Sequence, residues 1–409
     1  MDALGLFDKV CNIVYNEYYF KDNEQMKKFN KNVNNYRKNI NKKHDEIYIY
    51  MLLDKIISSL SDPHAIIILP MQGMILTTEF FIVGRTFYLI EYEKEGLTYK
   101  IIKKINGYTI DEIFKLYGDK QNKLPSVTIR GKILEDLKTC RNIFNKNVCI
   151  VEYETENKIE KQNFYPVEMK EYINQVLKEK NSKEIQESAK PIIINKYEEN
   201  VLVIKIITFR STNIANIFKE EVLKIKDYKN IDYIIFDIRN NVGGYVEETK
   251  KIVSMIIDTD IKLDYIVRDK HGRNYDEVQN IRSNQLDIFK SKSLFAFIND
   301  ATMSSAEFVF IKGLQLSNIK FKTIGSRTAG VSGQAKIIDI ENDVKIQLTT
   351  KRYYRQSGEE LVKGIDPDYY VREEIEDYFE KTNNYIKCFR KHIKKDGGSH
   401  ERDIFEVHT

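Results

Sequence analysis

Apolar residues first recur at helical spacing. Leu6, Val10, Ile13 and Val14 share one face of a 3.6-residue period, and Ile47, Met51, Leu52 and Ile56 repeat it. A polar Asn/Lys-rich stretch, 27–43, separates the two runs. Residues 58–63 end the second helix, because Pro63 biases its predecessor away from helical angles. From Ala65 to about Glu160 the period shortens to that of strands, in AIIILP, FFIVGRTFYLIEYE, GLTYKIIKKING and VCIVEYETE. Asn106–Gly107 supplies a turn, and TIDEIFKLY after it predicts a short helix capped by Thr109. Residues 161–195 are charged and periodic and predict a helix with a connector.

From about Pro191 strands and helices alternate. VLVIKIITF leads to NIANIFKEEVLKIK, YIIFDI through a Gly turn to VEETKKIVSMII, and SLFAFIND through ATMS to SAEFVFIKGLQL. KFKTIG closes the series. Such alternation predicts a parallel sheet covered by helices. VKIQLTTKRYY then reads as a strand pair, EEIEDYFEKTNNYIKCFRKHI as a helix, and the polar stretch from Lys394 as a disordered tail. The expected organisation is an N-terminal helical region (1–62), a β-rich accessory domain (63–190), an α/β core (191–390) and a polar tail (391–409).

A chain of 409 residues exceeds what one core usually holds, so several units are expected. The net charge of +4 is small for that length and its lysines are dispersed, so no nucleic-acid partner is expected. The four cysteines form no C-x-x-C pair and no evident disulfide framework; reduced thiols and no metal site are expected. The N-terminus does not read as a secretory leader, and the apolar runs fall far short of the roughly 20 residues of a membrane span. A soluble, cytoplasmic protein is the expectation.

Three segments could carry chemistry. D-I-R-N-N-V-G-G, at 237–244, follows an apolar strand, where ligands of parallel sheets bind. Its two glycines either make a plain strand-to-helix turn or expose N–H groups to a developing oxyanion. N-D-A-T-M-S-S-A-E, at 299–307, opens a helix. There Ser304 is either a helix cap, with Glu307 as its capping-box partner, or a nucleophile on a sharp turn. S-D-P-H, at 61–64, fixes His64 on a Pro turn; it is either a structural residue or a base with a pKa near neutrality.

Together these pieces resemble the serine peptidase family of the C-terminal processing (tail-specific) proteases and the tricorn core. YIIFDIRNNVGGYVEE is similar to that family's strand and D-x-R-x-N-x-G-G. SLFAFINDATMSSAEFVFIKGLQ resembles its strand, S-x-S-x-E-type element and helix. TIGSRTAGVSG resembles its V-G-x-x-T-x-G segment, and GEELVKGIDPDYYV its G…G-V-x-P-D closure. S-D-P-H resembles the D-x-H-[ST] element of the family's histidine-using branch, and GLTYKIIKKINGYTIDEIF the carboxyl half of a PDZ-like unit.

The resemblance implies an α/β, Clp/crotonase-like parallel-sheet core with a partly PDZ-like accessory domain. It implies a serine-type peptidase acting on a peptide or protein substrate with no cofactor, and related cores often form homo-oligomers. Aligned on Glu307, the nucleophile falls on Ser304. Ser305 N–H and Gly243 or Gly244 would form the oxyanion hole, and His64 would be the base. Glu360 or Glu359 would be the orienting acid, with Asp62 as the alternative. One departure stands out: the processing proteases carry a lysine after T-x-G, and here Val331 follows Thr328–Ala329–Gly330. Lys336 fits only in a shifted register. A catalytically silent peptide- or ligand-binding protein and crotonase-type chemistry on an acyl-CoA are the two rival readings.

Overall fold

The computed structural model describes residues 3–40, 46–68, 74–93, 96–117, 126–144, 147–155, 158–179, 190–341, 343–361, 363–378 and 383–396. Of the expected tail, residues 391–396 continue helix Asn384–Asp396, so the stretch from Lys394 begins helical, not disordered, and the remainder lies outside the described residues.

Six strands form the central sheet, in the order Ile192–Glu198, Val201–Ile206, Tyr233–Asp237, Ser293–Ile298, Lys320–Gly325 and Tyr369–Tyr370. The first pair is antiparallel and the rest are parallel. Their near-continuous apolar sequence follows from burial on both faces. Ile234, Phe236, Leu294 and Ala296 point into the larger core with helices Ile214–Leu223 and Val246–Ser254. Alternate residues Ile235, Phe295 and Phe297 pack on the other face against Tyr385, Ile386 and Phe389 of helix Asn384–Asp396.

A second, antiparallel sheet stands beside this core. Strand Val344–Tyr354 pairs with Gln334–Glu341, Ile261–Asp269 and Ile66–Ile68, and Asn274–Ile281 extends the sheet. Two expectations change here. VKIQLTTKRYY is one strand of 11 residues, not a pair, because it is paired along both edges. Residues 66–68 join this sheet instead of the accessory sheet. The hairpin 261–281 was not read from the sequence. The N-terminal helices Ala3–Glu17, Asn23–Arg37 and Glu46–Ser58 close over Ile340, Val344, Ile346 and Leu348. The polar stretch is thus helical over Asn23–Arg37. Asp22 caps it through Gln25 N–H, and only Phe29 and Val33 of its residues are buried.

The accessory sheet runs Glu79–Val83, Thr86–Glu93, Gly96–Ile105, Cys149–Glu154 and Ile159–Phe164, all antiparallel, over helices Ile110–Leu116 and Ser126–Lys138. Asn106 and Gly107 both have positive φ, 49° and 86°, as a tight two-residue hairpin turn demands. Thr109 and Glu112 form a full capping box at the next helix.

Candidate active site

The central sheet brings two turns together. Parallel register pairs Tyr233 with Ser293 through Asp237 with Phe297, so both strands end at one edge. Beyond it, Ile238 N–H donates to Phe297 O at 3.1 Å and Met303 N–H to Asn241 O at 3.0 Å. Asn240 N–H donates to Asn299 Oδ1 at 2.9 Å, and Thr302 Oγ1 donates to Ile238 O at 2.9 Å. Asp237 grips Arg239 through Nε and Nη2 at 2.9 and 2.7 Å. These bonds fix turn 238–245 against turn 299–305.

Ser304 sits at the tip of the second turn with φ +59°, a left-handed conformation that costs a non-glycine residue about 1–2 kcal/mol. It is half-buried, and its hydroxyl has no hydrogen-bond partner among the described residues. The capping alternative therefore does not describe that hydroxyl: the helix that follows has no side-chain cap. Ser305 differs. It is buried, with its Oγ 3.3 Å from Thr249 Oγ1. The following turn is a π-helix, Ala306–Ile311, a feature often found at functional sites.

Gly243 (φ +79°) lies directly against the serine turn: a Cβ there would stand 2.8 Å from Ser304 Cβ and 2.9 Å from Ser305 N. Its own N–H donates to Asn241 Oδ1 at 2.9 Å. Phe209 bridges the next residue, donating N–H to Gly243 O and accepting from Tyr245 N–H. Parallel pairing of this kind turns the amide of Gly244 away from Phe209. Of the two glycines, Gly244 keeps a free N–H, and Ser305 N–H likewise makes no backbone bond among the described residues.

Glu307 is fully buried beneath Ser304. It accepts from Ser304 N–H at 2.9 Å, Gly330 N–H at 2.8 Å, Val331 N–H at 3.2 Å and the Thr328 hydroxyl. Burial pushes its carboxyl up to about 7 against the pull of these four donors. The sequence offers Glu307 as a cap partner and as the acid of the S-x-S-x-E-type element, but nothing in it shows that Glu307 joins the Ser304 turn to 328–331.

His64 is carried by the second sheet. Its N–H donates to Asp62 Oδ1 at 2.9 Å, its C=O accepts from Gln347 Nε2 at 3.0 Å, and Ile66 pairs with Gln347 two residues on. A Cβ on Gly333, two residues past Val331, would lie 3.5 Å from His64 Nδ1. Burial, opposed by Asp62 and aided by Arg352 and Arg210, holds the imidazole below its usual pKa, so it is neutral at pH 7. Nδ1 is buried without a partner, and no hydrogen bond joins the ring to Ser304. Catalytic hydrogen bonds are often long before substrate binds.

The acids divide. Asp62 accepts from the Tyr18 hydroxyl at 3.0 Å and from Arg352 Nη2. Burial raises its carboxyl, but Arg352 and His64 more than reverse this and hold it below its usual range. Glu360 bonds Arg352 at 3.2 Å and faces Lys21 at 3.4 Å. Glu359 is exposed and pairs with Lys363 and Arg355. Neither Glu359 nor Glu360 makes a hydrogen bond to the His64 ring, because nearer cations claim both. Lys336 is directed to Glu17 at 3.4 Å, with its side chain mostly exposed. The described residues hold no cluster of potential metal ligands and no helix long and apolar enough to cross a membrane.

A strained serine on a strand-to-helix turn, abutting a Gly-Gly turn from the neighbouring parallel strand, is the arrangement of a nucleophile elbow. Comparison with known proteins specifies the class. Residues 200–371 match the family described as Peptidase family S41. A probable CtpA-like serine protease of Staphylococcus epidermidis is 30% identical over 171 residues, 41% of this chain and 33% of the relative. One from Staphylococcus aureus is 25% identical over 285 residues, covering 68% and 47%. The chain thus spans a third to about half of the length of these curated relatives. Among solved structures, a CPAF mutant superposes with a TM-score of 0.72 at 12% identity, covering 98% of this chain and 99% of that one. Mature CPAF complexed with lactacystin gives 0.68 at 13%, covering 97% of each. At such identities the likeness is one of fold.

Proposed function

We propose that the protein is a serine-type peptidase that cleaves peptide bonds through an acyl-enzyme on Ser304. One observation carries this reading: Ser304 is held in a strained turn with an unengaged hydroxyl, while its neighbour Ser305 is tied inside. Neutral His64 Nε2 takes the Ser304 proton as Oγ attacks the carbonyl carbon. The N–H groups of Ser305 and Gly244 receive the oxyanion, and Gly243 provides the close approach. The C–N bond then breaks as His64 returns the proton to the leaving amine, and water hydrolyses the ester by the same steps. Each oxyanion donor is worth about 100–1,000-fold in rate. Asp62 is the acid associated with His64. Glu360 reaches that histidine only through Arg352 and Asp62, and Glu359 has no part.

The central sheet, with helices on both faces and the site at its carboxyl edge, supports a Clp/crotonase-like core. The capped helix after the 105–108 turn supports a partly PDZ-like accessory sheet. The four cysteines are all free, in keeping with a reducing compartment such as the cytoplasm. The substrate class proposed is peptides or proteins.

Incubation with a fluorophosphonate, followed by peptide mapping, tests the reading. An adduct on Ser304 is expected, absent from folded Ser304→Ala and strongly reduced in His64→Ala. An unmodified wild type would favour the silent binding protein.

A further inference from the structure

His64 Nδ1 and Thr349 Oγ1 are buried without partners, as are Ser332 Oγ, one residue before Gly333, and Arg352 Nε, on the guanidinium that pairs with Asp62. Thr349 is fully buried and Ser332 nearly so. Leaving a buried hydroxyl unsatisfied costs about 1–3 kcal/mol, so several at one spot call for an explanation. Gly333 shows that Thr349 and His64 are neighbours. A Cβ at that position would lie 3.0 Å from Thr349 Cγ2 and 3.5 Å from His64 Nδ1, and Ser332 precedes it in the chain. Thr349 also stands near Asp62, close enough to help hold that carboxylate ionised, though short of hydrogen-bond geometry.

A base acting through Nε2 must carry its other proton on Nδ1, and that N–H needs an acceptor. No carboxylate supplies one. Asp62 meets His64 at the backbone N–H and not at the ring, whose Nδ1 is unpartnered, and Glu359 and Glu360 are held by other cations. A threonine hydroxyl has the right capacity: it accepts at its lone pairs and donates its single proton.

We propose that Thr349 is the positioning residue of His64, accepting from Nδ1–H and donating to Asp62. The imidazole is then fixed as the Nδ1–H tautomer by a hydroxyl relay instead of a direct carboxylate. This inference rests on His64 being the base, which the Ser304 adduct and its loss in His64→Ala test separately.

Its own test is Thr349→Val, which keeps the shape and removes the hydroxyl. An idle hydroxyl would make this change neutral or stabilising without altering rate. A relay predicts that the rate of fluorophosphonate labelling falls about 10- to 1,000-fold with the urea midpoint unchanged or raised. Thr349→Ser restores most of the labelling. With a peptide substrate the loss falls on kcat and leaves KM nearly unchanged. Labelling of Thr349→Val at the wild-type rate would overturn the proposal. So would a labelling loss that merely tracks lost stability, or one found in Ser332→Ala instead.

Discussion

Replacing Glu307 by Gln tests which of two opposed forces sets the charge under the Ser304 turn. Four donors converge on this buried carboxyl and favour its ionised form. Burial disfavours it, and the balance leaves the group at about 7, above an ordinary value of 4.5. Between those pH values the folded protein holds a proton that the unfolded chain has released. Stability therefore falls as pH rises through the window, by roughly 3 kcal/mol for a displacement of about two and a half units. Below about 4.5 both states are protonated and the contribution vanishes; above about 7 the full cost persists. The Gln variant does not titrate, and whatever its amide costs against those donors is independent of pH. Urea unfolding of both proteins over a pH series should show the difference moving toward the variant by about 3 kcal/mol between pH 4.5 and 7.5. Parallel curves, or a wild type that gains on the variant as pH rises, would refute the dominance of burial and mean that the donors hold Glu307 ionised throughout.

Gly243→Ala puts a Cβ 2.8 Å from Ser304 Cβ and Met303 O, in a turn with φ +79°. The serine must shift, so labelling should fall at least about 10-fold, with a stability loss of about 1–2 kcal/mol from the left-handed backbone. Gly244→Ala meets backbone 2.1 Å away at the Phe209 carbonyl carbon, which cannot yield as a side chain can, so thermal melting should show a larger loss. Arg352→Met strips buried Asp62 of its cation; chemical denaturation should show a loss of about 3–5 kcal/mol at pH 7. That loss should shrink as pH falls through the carboxylate range, where protonated Asp62 no longer needs the guanidinium.

What was legible in the sequence is what local pattern determines. The parallel strands of the core announce themselves because both faces are buried, and the Asn106–Gly107 turn and Thr109 cap are set by adjacent residues. Ser304 stands out in the sequence by its position after a strand, but only its left-handed φ and the inward bond of Ser305 distinguish it from a plain helix cap. Other features depend on pairing between distant segments. Hairpin 261–281 is half polar on its exposed strand, and the short run 66–68 finds its partner only at 345–347. The acids illustrate the limit. Glu359 and Glu360 are equivalent in spacing, but Arg352 and Lys21 draw one inward while Lys363 holds the other in solvent.

The two halves of the proposed site stand on different sheets, and one segment touches both. Ser304 follows a strand of the central sheet, whereas His64 leads into a strand of the antiparallel sheet. Residues 326–333 connect Lys320–Gly325 of the first to Gln334–Glu341 of the second. Along the way Thr328, Gly330 and Val331 bind Glu307 beneath the serine, and Gly333 passes beside the imidazole. In the processing proteases that this chain resembles, the same segment carries a lysine, which the buried Val331 replaces here. Its backbone N–H on Glu307 still ties the segment to the Ser304 turn. On the proposed mechanism, a stretch that supplies the base in one branch serves in this chain to hold a base delivered by another sheet. The distance between Ser304 and His64 then depends on Glu307 and on the absence of a side chain at Gly333, neither of which would touch the substrate.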